Sequence, residues 1–160
     1  MDKAVREIGI ILSKNNLTLC TAESFTSGNI AAAITSEPGA SEYFIGGVVA
    51  YTEEIKQNIL GVDTKTLEEK GTVHVNTVVE MAKGAADLMN ADYALATTGL
   101  AGPGGGTDET PVGTVFLAIY GPGFLNSYSD VIEGSRKEVV EKATALILNR
   151  FRNILTNWTE

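Results

Sequence analysis

The sequence predicts a layered α/β domain built around a mixed sheet. Three observations carry that prediction. Apolar strand-like runs alternate along the chain with amphipathic helical stretches, the pattern of a sheet covered by helices. Two late strands meet across Gly121-Pro122-Gly123, hairpin punctuation that makes one pair antiparallel while the other connections run through helices. The chain has 160 residues, the size of one domain with room for a substantial core. We expect a single domain over residues 1–160, since no Pro/Ser-rich linker, low-complexity tract or repeat divides it.

The first helix uses Val5, Ile8, Ile11 and Leu12 and ends near Asn15-Asn16. Leu17 to Glu23 reads as a strand. Ser27 to Ser36 reads as a short Ala- and Ile-rich helix closed by the Pro38-Gly39 turn. Tyr43 to Tyr51 is a continuous apolar run with two glycines and predicts a buried strand. Glu53 to Leu60 and Thr66 to Lys70 predict short helices, the second stopped by Gly71. Thr77-Val78-Val79-Glu80 matches a capping box, so a helix is expected from there to about Asn90. Tyr93 to Thr98 is an apolar strand that runs into a loop holding five glycines between Gly99 and Thr107. Val112 to Tyr120 and Phe124 to Glu133 predict the hairpin. Ser135-Arg136-Lys137-Glu138 is a second capping box, opening a long helix with a stripe of Val140, Ala143, Ile147, Phe151, Ile154 and Trp158.

Composition excludes several classes of function. Hydrophobic residues are 44% and charged residues 20%, which places the chain among globular proteins rather than disordered ones. Lys and Arg number 12 against 20 Asp and Glu, a net charge of −8. Nucleic acid and anionic membranes are therefore not expected partners, because both require a cationic footprint. A small anionic ligand stays open, since a local pocket can differ from the net charge. Cys20 and His74 are the only residues of their types, which excludes a disulfide framework, a multi-Cys zinc site and a His-rich metal site. No secretory signal pattern opens the chain, and no apolar run approaches the ~20 residues of a membrane span. The expected compartment is the cytoplasm. An oligomer built through the apolar helices is also expected.

Four segments at strand ends or helix starts carry candidate chemistry. Thr21-Ala22-Glu23-Ser24-Phe25-Thr26-Ser27-Gly28 ends a strand in hydroxyls before a helix begins. It reads as a nucleophilic Ser24 beside amides able to hold an oxyanion or phosphate, or as simple N-capping by Thr26 or Ser27. In Tyr51-Thr52-Glu53-Glu54-Ile55-Lys56, a lysine at a helix start opposes the macrodipole. It reads as a desolvated base for a serine, or as a solvated lysine balanced by Glu53 and Glu54. The glycine loop offers bare amides to an anion, or is a long surface turn. It matches neither the P-loop nor the dinucleotide fingerprint. Arg136, just after Ser135, joins a guanidinium to a helix start, which suits a phosphate; alternatively it pairs with Glu133 or Glu138. His74 completing a Ser-His-acid triad and Cys20 as a nucleophile are weaker readings than a capping histidine and a buried apolar cysteine.

Taken together, these residues carry a specific resemblance. Thr21-Ala22-Glu23-Ser24, Gly46-Gly47-Val48-Val49-Ala50-Tyr51 with Lys56, Leu60-Gly61-Val62, Thr98 through Gly106, and Pro111-Val112-Gly113-Thr114-Val115 stand in the order and spacing of the CinA C-terminal domain family. The resemblance runs from about Leu17 to the final helix. It is to the stand-alone form, without an N-terminal molybdopterin-binding-like domain. It implies a three-layer α/β/α domain and nicotinamide-nucleotide amidohydrolase activity. Nicotinamide mononucleotide would become nicotinic acid mononucleotide and ammonia, within pyridine nucleotide salvage.

The resemblance puts the family's nucleophile on Ser24, its general base on Lys56 and its adjacent catalytic tyrosine, expected to help transfer protons, on Tyr51. Arg136 matches a family arginine that follows a Gly-Asp pair, here Gly134-Ser135. Substrate and phosphate contacts are expected from Thr26, Ser27 and Gly28, from Thr98, Gly99, Ala101 and Gly102, and from Arg136. The division between oxyanion and phosphate roles stays open. A Ser-Lys pair needs no histidine, metal or cofactor, and none is expected. The chain departs from the family's usual Glu-Ser-Cys-Thr-Gly-Gly, reading Glu23-Ser24-Phe25-Thr26-Ser27-Gly28. Phe25 and Ser27 motivate an alternative, a domain that binds a pyridine nucleotide or a partner without turning it over.

Overall fold

The computed structural model describes residues 1–158, with the side chain of Trp158 outside the described residues. Its elements, in chain order, begin with α1 (Asp2–Asn15), β1 (Leu19–Glu23) and α2 (Asn29–Thr35), followed by a 3₁₀ turn at Ala40–Glu42. Then come β2 (Phe44–Val49), α3 (Glu53–Asn58), α4 (Thr64–Lys70) and α5 (Val75–Met89). The chain finishes with β3 (Tyr93–Gly99), β4 (Thr114–Gly121), β5 (Phe124–Val131) and α6 (Arg136–Trp158). The five strands lie in the order β2-β1-β3-β4-β5. β1 is parallel to both β2 and β3, while β3–β4 and β4–β5 are antiparallel. The mixed sheet and its hairpin are as the sequence predicts.

Alternation along the strands builds two unlike faces. Leu19, Tyr93, Leu95, Leu117 and Ile119 point to one side and pack with α1, α2 and α6. Cys20, Ala22, Ala94, Ala96 and Ala118 point to the other and pack with α5 and the Leu60–Val62 turn. The first face takes bulky side chains from three helices. The second is nearly all alanine, and α5 answers it with Ala82, Ala85 and Ala86, so helix and sheet approach closely. Helices on both faces make the domain three-layered. No described helix is long and apolar enough to cross a membrane.

Several sequence expectations need correction. β2 is not a buried strand. It forms one edge of the sheet and alternates between half-buried and exposed residues, with Ile45 and Val49 facing solvent. An apolar run does not reveal whether a second neighbouring strand exists. The Thr77–Glu80 capping box does not form. α5 begins earlier, at Val75, with His74 Nδ1 accepting from the Asn76 amide. Thr77 Oγ1 instead donates to Gly71 O, and Glu80 accepts from Asp63 N and Thr66 Oγ1. α4 likewise starts before Thr66, capped by Asp63. β1 starts two residues later than expected because Thr18 is held by Asp92. The buried stripe of α6 runs through Val139, Ala143, Ile147, Phe151 and Leu155, one step round from Val140 and Ile154, which flank it. The Ser135 box does form: Glu138 Oε2 accepts from Ser135 N and Oγ, and the Glu138 amide turns back to Ser135 Oγ.

The fold places a crevice at the carboxyl ends of the parallel strands. From β1 the chain leaves through α2 on one face to reach β2, then returns through α5 on the other face to β3. The ends of β1 and β3 thus lie where the connections diverge, the position at which open α/β sheets bind ligands.

Candidate active site

Ser24 follows the last residue of β1, and its amide donates to Thr97 O on the neighbouring strand at 3.0 Å. The β1–β2 pairing continues one residue past β2, with Ala50 N donating to Glu23 O. The chain then turns through Tyr51 into α3, whose first turn is capped by Thr52 Oγ1 accepting from Ile55 N. This short helix points Lys56 inward. Lys56 Nζ donates to Ser24 Oγ at 2.9 Å and to Ala50 O at 2.7 Å. Lys56 is 1% exposed and Ser24 8%, so the solvated-lysine reading is overturned. Burial pushes the Lys56 ammonium from its ordinary 10.5 down to about 8, with the charge of Glu53 opposing that shift. A substantial fraction is therefore neutral at mildly alkaline pH and able to take a proton from the hydroxyl beside it.

A cavity of about 200 Å³ opens over this pair. Ser24, Lys56, Tyr51, Thr98, Gly99, Ala101, Gly102 and Arg136, all sequence candidates, line it. Thr98 Oγ1 donates to Thr72 O, tying β3 to the segment before α5. The glycine loop leaves β3 and bends at Gly102, where φ is +83° and a side chain would run into Val112. Arg136 reaches across from the first turn of α6. Its Nη1 donates to Gly102 O and its Nη2 to the Tyr51 hydroxyl, both at 2.8 Å. The guanidinium therefore pairs with neither Glu133 nor Glu138, and it joins the loop, the β2–α3 turn and α6 around one opening.

Three of the candidates lie elsewhere. Thr26 is fully buried beneath the nucleophile turn, with its hydroxyl on Glu23 Oε2 and Thr97 Oγ1. Ser27 adopts φ +54° and donates its hydroxyl to Phe25 O. The Gly28 amide donates to Glu23 Oε2. None of the three lines the cavity. The reason is Glu23, whose carboxylate also accepts from the Ile30 and Ala31 amides and so occupies the start of α2. An external anion has no place there.

His74 caps α5, tilts against Phe116 and does not line the cavity, so it forms no triad with Ser24. Cys20 is buried, and desolvation pushes its thiol up to about 12, which makes it inert. Sequence reasoning missed Thr72 and Val73 among the lining residues, while Leu100 and Gly104 fall within the glycine loop it had marked. It also missed the carboxylate under the turn. A glutamate ending an otherwise apolar strand next to the candidate serine was the available signal. Phe25, noted only as a departure, lines the cavity and packs with Ala101, Val115, Val139 and Ala143 under the glycine loop.

Comparisons with known proteins identify the family. The CinA C-terminal domain model matches residues 1–155. A CinA-like protein of Fervidobacterium nodosum is 40% identical over 142 residues, covering 89% of this chain and 35% of the relative. A CinA-like protein of Shewanella pealeana is 43% identical over 152 residues, covering 93% and 35%. The chain thus spans about a third of the length of the curated relatives it matches. The crystal structure of the competence damage-inducible protein A from Klebsiella pneumoniae superposes with a TM-score of 0.94 at 35% identity, covering 98% of each chain. That of the competence/damage inducible protein CihA from Agrobacterium tumefaciens gives 0.93 at 36% identity, covering 97% of this chain and 94% of the other. With sequence, fold and nearly the full length in agreement, the chain belongs to the CinA C-terminal domain family.

Proposed function

We propose that the chain is a nicotinamide-nucleotide amidohydrolase, converting nicotinamide mononucleotide and water to nicotinic acid mononucleotide and ammonia. The observation that carries the reading is the buried 2.9 Å contact between Lys56 Nζ and Ser24 Oγ, in the wall of a small cavity. A lysine is stripped of solvent at an energetic cost, and here it faces a hydroxyl rather than a carboxylate.

The chemistry follows from that pair. Neutral Lys56 takes the Ser24 proton as Oγ attacks the carboxamide carbon. The resulting tetrahedral oxyanion needs donors; the Leu100 amide is already given to Thr114 O, so the amides of Phe25, Ala101 and Gly102, residues that line the cavity, are the candidates. Lys56 returns its proton to the departing nitrogen, and ammonia leaves an acyl-Ser24. Water then attacks that ester while Lys56 takes one of its protons, which passes back to Ser24 as the carboxylic acid product is released; that acid ionises by giving its proton to ammonia or solvent. Every proton taken is returned, so the chemistry calls for no further reactant. Arg136 lines the same cavity together with Gly102 and Tyr51, and the substrate's phosphate would replace Gly102 O and the Tyr51 hydroxyl as partners of the guanidinium.

Ammonia release from nicotinamide mononucleotide tests the proposal, measured for the parent beside Ser24→Ala and Lys56→Ala. Turnover by the parent is expected, with losses of about a thousandfold or more in either variant. Nucleotide binding without turnover by the folded parent would favour the binding-domain reading, with Phe25 beside the nucleophile as the first residue to revert.

A further inference from the structure

We infer that Glu23 is a positioning residue for Ser24, acting through Thr26 and Thr97 to set where the nucleophile stands. This rests on the reading of Ser24 as the nucleophile. Glu23 is a carboxylate only 1% exposed, yet no lysine, arginine or histidine is bonded to it among the described residues. An unpaired buried carboxylate is expensive unless donors surround it. Here four do. Oε2 accepts from Thr26 Oγ1 at 2.8 Å and from the amides of Gly28 and Ile30, each at 3.0 Å, and Oε1 accepts from the Ala31 amide at 2.9 Å.

The donors define what the group does. Three belong to the start of α2 and one to the turn between Ser24 and α2, so a single side chain gathers both ends of the nucleophile turn. Thr26 has one hydroxyl proton and gives it to Glu23. Thr97 therefore donates across the 2.7 Å contact to Thr26. Thr97 is also the residue whose carbonyl accepts the Ser24 amide. The chain Glu23–Thr26–Thr97 thus closes a ring under Ser24 that includes the serine's own backbone. Thr26 and Thr97 are fully buried, so water cannot substitute for a missing member. The turn passes through left-handed backbone at Ser27 and Gly28, a conformation that glycine takes freely but that Ser27 holds against its preference.

Only acceptors suit the Glu23 position. Glutamine there would aim an N–H at donors, and valine at Thr26 would keep the shape while cutting the ring. Both Glu23→Gln and Thr26→Val are expected to lower kcat for nicotinamide mononucleotide by about tenfold to a hundredfold with KM nearly unchanged, because displacing a reacting atom costs rate rather than binding. The rate at which a fluorophosphonate probe labels Ser24 should fall in parallel. Ile147→Val, a conservative change in the α6 core, serves as the control for a lowered Tm without a severed ring.

Parent-like kcat and labelling in Thr26→Val would overturn the proposal. So would a loss no larger than that of Ile147→Val at matched Tm, or an effect confined to KM. Should Glu23→Gln fail to fold, Thr26→Val carries the test. A parent that labels at Ser24 but leaves the nucleotide untouched would sink the substrate assignment alone, and the labelling rates would then decide the role of Glu23. A parent inert to both reagents would overturn the nucleophile reading and this proposal with it.

Discussion

Lys56 is held against its own preference for water, and that tension has measurable consequences. Its pKa in the folded protein, about 8, lies below the 10.5 of the unfolded chain. The unfolded state therefore binds more protons between those values, and stability rises with pH across that window. Below about pH 8 the full penalty of a buried ammonium is present, on the order of 3 kcal/mol for a shift of this size. Lys56→Met removes the charge and keeps the bulk, although it leaves Ala50 O without its donor, a loss of about 1–2 kcal/mol. The variant should lose activity yet unfold at higher denaturant at pH 7, by about 1–2 kcal/mol net. Its advantage should shrink as pH approaches 10. A variant less stable than the parent at pH 7 would show that the ammonium is well solvated by its two acceptors. For the same reason kcat/KM of the parent should climb toward a plateau above about pH 8. The sequence singled out Lys56 by placing it at a helix start, whereas it lies in the last turn of α3, where a cation suits the dipole; nor could the sequence choose between solvent and cavity. Burial there depends on α3 being turned inward by the β2–α3 connection, and no local pattern encodes that.

At the scale of the element, legibility followed the kind of signal. The long periodic helices and the hairpin could be read directly, because their buried faces repeat. The start of α5 could not, since Thr77 and Glu80 have the spacing of a capping box but are claimed by Gly71 O on one side and by Asp63 and Thr66 on the other. Tertiary partners outbid a local motif. The edge position of β2 was invisible for a similar reason, because strand order is a property of the sheet. α5 also carries a test of how closely its alanine face is fitted. Gly84 sits mid-helix, where alanine would ordinarily stabilise by about 1 kcal/mol. A Cβ at Gly84, however, would overlap the carbonyl oxygen of Leu60, in the turn that follows α3. Gly84→Ala should therefore destabilise by about 1–3 kcal/mol, the usual range for overpacking, in chemical denaturation. Because that turn adjoins the helix of Lys56, activity should fall with it. A stabilised Gly84→Ala would mean that the turn yields freely and that α5 does not fix the position of α3.

For the whole molecule, the site exists only because distant parts of the chain converge on the carboxyl ends of β1 and β3. Ser24 comes from the first strand, Lys56 from the connection after β2, Gly102 from the loop after β3, and Arg136 from the start of the last helix. The sequence supplied these residue types but not their distances, which is why it could name most of the residues that line the cavity yet placed the α2 start, which does not line it, among them. Once the Glu23 carboxylate fills that helix start, two cations line the cavity, Lys56 and Arg136; Lys56 is engaged by Ser24 Oγ and Ala50 O, which leaves the Arg136 guanidinium, held only by Gly102 O and the Tyr51 hydroxyl, as the group for an anion. On the proposed function the lining residues divide their tasks, chemistry at Ser24 and Lys56 and anion recognition at Arg136. Arg136→Ala should raise KM for nicotinamide mononucleotide by about tenfold to a hundredfold, the worth of a charge-assisted hydrogen bond, and leave kcat within a few-fold. The same substitution should scarcely alter turnover of the dephosphorylated nucleoside, nicotinamide riboside, which the parent should use poorly. Equal losses on both substrates would instead assign Arg136 to holding Tyr51 and the glycine loop in place, since that role does not depend on a phosphate. Steady-state kinetics on the pair of substrates, with parent and variant side by side, separates the two roles in one experiment.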